Sequence, residues 1–96
     1  MQTNSTFHNS TLHLIIDGHV SGISEVMTIT NIFSEYSQAR VIELEFNDAF
    51  VIPSALIGHL LKLVNVDQKK VMIKAKRHEL KDLINDLNLN TAFDVR

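Results

Sequence analysis

The chain has 96 residues, 45% of them hydrophobic, with three glycines, one proline and no cysteine. This fits one small globular domain and leaves no disulfide, thiolate metal site or cysteine nucleophile. A formal charge of −2 gives no electrostatic case for nucleic acid or an anionic membrane. The longest apolar runs are about four residues, against roughly 20 for a bilayer span. The polar start "MQTNSTFHNST" also lacks a signal-peptide pattern. The expectation is a cytoplasmic protein without membrane insertion.

In chain order, "STLHLIIDGHVSG" alternates Leu12, Leu14 and Ile16 against His13 and Ile15, which predicts a strand closed by a turn. Phe7 belongs to a short preceding strand, joined as a hairpin through "NS". From Ser21 the period becomes helical: Ile23, Val26, Met27, Thr30, Phe33 and Tyr36 form an apolar stripe widened by Ile29 and Ile32. Ser21 or Ser24 can cap this helix, Glu25 suits its first turn, and it should end near Tyr36–Gln38. Ile42, Leu44 and Phe46 alternate with Glu43 and Glu45 in a strand over Val41–Phe46, followed by a turn at "ND".

After that turn, "FVIPSALIGHLL" begins as a strand-like apolar run and becomes a helix from about Ser54 to Asn65. Its core face is Leu56/Ile57, Leu60/Leu61 and Val64. "KKVMIKAK" is a short strand flanked by lysines. "RHELKDLINDLNL" is a third helix with Leu80, Leu83, Ile84 and Leu87 on one side, and "TAFDV" closes as an edge strand. The order ββαβαβαβ predicts a single α/β domain. Its sheet should be mixed and mostly parallel, with four or five strands and three or four helices packed on it.

These patterns resemble the STAS domain, the fold of bacterial anti-sigma factor antagonists and of sulphate-transporter tails. Glu45-Phe46 stands where that family's strand ends in Asp-Leu, and eight residues after Glu45 come Pro53, Ser54, Ala55 and Leu56. The family carries Asp-Ser-Ser/Thr-Gly at this turn. Gly58 and Leu60 match its next helix. Leu83, Leu87, Leu89 and Phe93 match its closing segment, and "LIIDGHVSG" its first long strand and turn. The resemblance implies a protein-interaction module switched by phosphorylation of the second hydroxyl, whose phosphate the helix N-terminus stabilises. Here that position is Ala55, which has no oxygen to modify, and Pro53 replaces the preceding carboxylate. Ser54 then has two readings: a substitute phosphoacceptor, or an N-cap worth about 0.5–2 kcal/mol. The chemistry favours the cap.

Other chemistry is less supported. The histidines His8, His13, His19, His59 and His78 show no metal-ligand spacing. Glu43 and Glu45 share one strand face, read as open to solvent. Lysines around "VMIKAK" suit an edge-protecting role, and no glycine-rich phosphate loop is present.

The leading expectation is a non-catalytic, cofactor-free interaction module of bacterial signalling, whose partner is an anti-sigma factor or a serine-kinase-like protein. Docking would centre on Pro53, Ser54, Ala55, Leu56, Gly58 and His59, beside the turn Asp17–Gly22, with Leu56 and His59 as exposed contacts. A homodimer is compatible with the small core. The alternatives are a small STAS-like subunit of a transporter or stress-signalling complex, and a nucleotide or small-ligand binder.

Overall fold

Period-2 alternation is the strongest local signal in this chain, and it builds the sheet. The computed structural model describes residues 1–96 and has strands β1 (Gln2–His8), β2 (Thr11–Asp17), β3 (Val41–Phe46), β4 (Lys70–Ala75) and β5 (Asp94–Val95). Three helices connect them: α1 (Ile23–Glu35), α2 (Ser54–Asn65) and α3 (His78–Asp86), the last followed by a 3-10 turn at Leu89–Thr91. The strands lie side by side in sequence order. β1 runs antiparallel to β2, and every later pairing is parallel. The protein is therefore a small α/β domain with a five-stranded, mostly parallel mixed sheet. No helix is long and apolar enough to cross a membrane.

All three helices cover the same face of the sheet. Leu12, Leu14 and Ile16 of β2, Ile42, Leu44 and Phe46 of β3, and Val71, Ile73 and Ala75 of β4 point into one core. That core is closed by Val26, Ile29 and Phe33 of α1, Leu56, Leu60 and Leu63 of α2, and Leu80 and Ile84 of α3. No polar or charged residue is buried in it. A crossover that always moves to the next strand, with constant handedness, puts each helix on one side. The opposite face, including Glu43 and Glu45, has no helix over it, as the alternation predicts.

The hairpin through "NS" forms, with Asn9 at φ 50° and Ser10 at φ 63°. Two consecutive left-handed residues define the tight turn that matches strand twist. Several expectations need correction. Ile23 and Met27 belong to the apolar stripe that the spacing predicts, yet they are 73% and 55% exposed. The buried line through Val26, Ile29 and Phe33 places them on the outer flank of α1. Leu87 is half exposed because α3 ends at Asp86 and Asn88 turns left-handed. The apolar run Phe50–Ile52 is loop, not strand, and only Ile52 turns inward. The final strand is limited to Asp94–Val95, while Phe93 serves the core. α1 is capped by Gly22 rather than by a serine side chain. The Ser21 hydroxyl instead donates to Glu25 Oε1 at 3.3 Å.

Candidate functional site

Because β2, β3 and β4 are parallel, the loops that follow them emerge at the same end of the sheet. These are Gly18–Gly22 before α1, Asn47–Pro53 before α2, and Lys76–Arg77 before α3. Asp48 and Asp17 latch the first two loops together. The Gly18 amide donates to Asp48 Oδ2 at 2.7 Å, and Asn47 Nδ2 donates to Asp17 Oδ1 at 2.6 Å. Gly18 itself sits at φ +85°, a conformation side chains rarely adopt.

Between the loops lies a groove of about 510 Å³ lined by His19, Val20, Ser21, Phe50, Val51, Ile52 and Pro53. It joins the two segments that the sequence marked as a docking surface, the Asp17–Gly22 turn and the start of α2. Phe50 and Val51 are 43% and 51% exposed at its rim. The Phe50 ring is held by an edge contact from His19 at 5.4 Å and by the Arg77 guanidinium 5.9 Å from its centroid. Arg77 is in turn fixed by Glu79, with Nη2 donating to Oε2 at 2.9 Å. This charge-assisted bond holds the Glu79 carboxyl down at about 2 and raises Arg77. The third loop therefore buttresses the aromatic rim of the groove.

The helix start differs from the expectation in two respects. Ser54 is the first residue of α2 and makes no capping bond; Pro53 occupies the cap position. The Pro53 carbonyl accepts the Leu56 and Ile57 amides at 3.0 and 3.2 Å, so the backbone closes the first turn itself. Leu56 is fully buried and cannot be an exposed contact. Its spacing with Leu60 had already placed it on the core face, and packing follows that spacing.

Pro53 is half-buried, while Ser54, Ala55 and Gly58 lie on the exposed side of α2. A Cβ added at Gly58 would meet nothing within 4 Å. No family model and no curated protein matches this chain.

His59 is half-buried in a separate cleft, between α1 and α2. Its ring stacks on Phe33 at 5.8 Å, beside Ser34 and Lys62. Partial burial, then Lys62, push the imidazole below its ordinary range, against an opposing pull from Asp67. It thus belongs to the seam of the two helices and not to the groove.

The residues that sequence reasoning missed are Phe50, Val51 and Arg77, whereas His19 lies within the marked Asp17–Gly22 turn. A signal was present for the first two. Apolar side chains directly after a turn, and before a proline, fall where a solvated loop is otherwise polar. Arg77 offered none, since its role depends on a contact across 27 positions of chain.

No group of three or more histidine and acidic side chains could hold a metal ion. Nor does the sheet have a point where strand order reverses, and that is where open α/β sheets form their nucleotide crevice.

Proposed function

We propose that this protein is a STAS-like, non-catalytic interaction module of bacterial signalling, similar to an anti-sigma factor antagonist. Its docking surface is the loop edge from His19 through Phe50, Val51 and Pro53 onto Ser54, Ala55 and Gly58. The observation that carries the reading is the exposed apolar rim of Phe50 and Val51 on a groove that joins both marked segments. An aromatic anchor flanked by arginine and ringed by polar loop atoms has the make-up of a binding hot spot. The proposed partner is an anti-sigma factor or serine-kinase-like protein. With alanine at position 55, docking at this edge is not switched by phosphorylation there.

The test is co-purification from bacterial extract with wild type, Val51→Asp and Gly58→Arg. Neither substitution enters the core, so circular dichroism should stay unchanged. Wild type should retain a kinase-fold partner, and both variants should lose it. Equal retention by all three would reject this edge. Recovery of a membrane ATPase in place of a kinase-fold protein would favour a transporter subunit instead. A phosphate found on Ser54 would overturn the unswitched reading.

A further inference from the structure

The sheet face opposite the helices is anomalous for its strand arrangement. Parallel sheets occur almost only with both faces covered, yet β2 to β5 form a parallel block with one bare face. Its outward side chains come in level rows. His13, Glu43, Met72 and Asp94 share one row, and Ile15, Glu45 and Lys74 share the next. A hollow of about 240 Å³ opens among His13, Glu43, Glu45, Met72, Lys74 and Arg96, and Arg96 also donates to Asp94 Oδ2 at 3.2 Å. The face is banded by charge, acidic along β3 and basic along β4.

We infer that this face is a self-association surface, occupied by a second copy of the same chain. The argument is its charge pattern under a two-fold axis parallel to the strands, between β3 and β4. Such an axis lays β3 over β4 of the second copy and β2 over β5, and it preserves the level of every row. Glu45 then faces Lys74 of the second copy, and His13 faces Asp94, each twice by symmetry. Glu43 faces Met72, and no carboxylate meets a carboxylate. Two twisted sheets pack with their strands nearly aligned, as this arrangement requires. Strands at about 4.8 Å and residues at about 3.3 Å give a face of roughly 400 Å² in projection. That is below the ~800 Å² per partner of a standard interface, so the pair is reversible and concentration-dependent.

Sedimentation equilibrium from about 10 μM to 1 mM tests this with wild type, Glu45→Lys and Lys74→Glu. Glu45, whose side chain is largely covered, and the exposed Lys74 also form a bridge within one chain at 3.6 Å, so the design must separate the two roles. Each variant alone sets like charges opposite across the axis and should weaken the dimer about tenfold or more, with unchanged circular dichroism. Mixed in equal amounts, the two variants should associate as a heterodimer. Both pairs between positions 45 and 74 across the axis are then opposite in charge, although the bridge within each chain stays broken. Raising salt should weaken the wild-type dimer.

A wild type that stays monomeric across the range overturns the proposal. So does a mixture that associates no better than either variant alone. A monomer whose Lys74→Glu form loses a co-purifying protein would assign the face to another partner and overturn it equally. Val51→Asp and Gly58→Arg lie off this face, one in the loop edge and one on α2, so failure at the docking edge would leave this result untouched.

Discussion

Gly58 sits in the interior of α2 with open space where a side chain would go. Glycine costs about 0.8–1.0 kcal/mol there relative to alanine, and packing gives no reason for it. Gly58→Ala should therefore raise stability by up to about 1 kcal/mol in urea denaturation. Destabilisation would reveal a neighbour that the open space does not suggest. Leu56, two positions earlier, behaves oppositely. It is fully buried, and Leu56→Ala should cost about 2–5 kcal/mol. Leu56→Asp, which places a carboxylate in an apolar core, should prevent folding altogether. A well-folded Leu56→Asp protein would contradict the packing of α2. Ser10 holds a left-handed backbone, and its carbonyl accepts the Arg40 and Val41 amides at 2.8 and 3.2 Å. Ser10→Gly should relieve that strain and add about 0.5–1 kcal/mol. In a domain of this size that is a rise of several degrees in Tm by calorimetry.

At the scale of elements, the α1–α2 seam is the pH-sensitive joint. His59, stacked on Phe33, is held below its ordinary range by partial burial and then by Lys62. The unfolded chain takes up a proton near pH 6.5 that the folded seam resists. The unfolded state therefore binds more protons just below that pH, and stability falls as pH drops through it. His59→Phe keeps an aromatic ring against Phe33 and should flatten the slope between pH 7.5 and 5 in thermal melts. An unchanged slope would mean that the seam does not set it.

Element identities were legible in the sequence because their periods are clean. The alternation in "VIELEF" and the stripe through Leu56, Leu60 and Val64 each admit one assignment. The direction of α1 was less so. Ile23 and Met27 extend an apolar stripe wider than the face that packs, and only contact with α2 and the sheet selects Val26, Ile29 and Phe33. Caps were misjudged for a related reason. Serines near a helix start suggest side-chain bonds, yet the Pro53 carbonyl closes the first turn of α2 without one.

For the whole molecule, the parallel direction of β2 to β4 puts the proposed docking loops at one end, and the sequential strand order leaves a full sheet face bare. The groove was half visible beforehand, since the Asp17–Gly22 turn and Pro53 were marked while Phe50 and Val51 of the second loop were not. The common direction of β2, β3 and β4 reaches beyond a single chain. A two-fold axis parallel to those strands does not invert them, so paired copies would present both loop edges toward the same side. A partner displaying two copies of its own site on one surface would meet both at once. The second contact would then form at an effective concentration in the millimolar range for sites so closely held. A weak edge contact would gain avidity with no new residue, and diluting the module below its pairing concentration would release the partner.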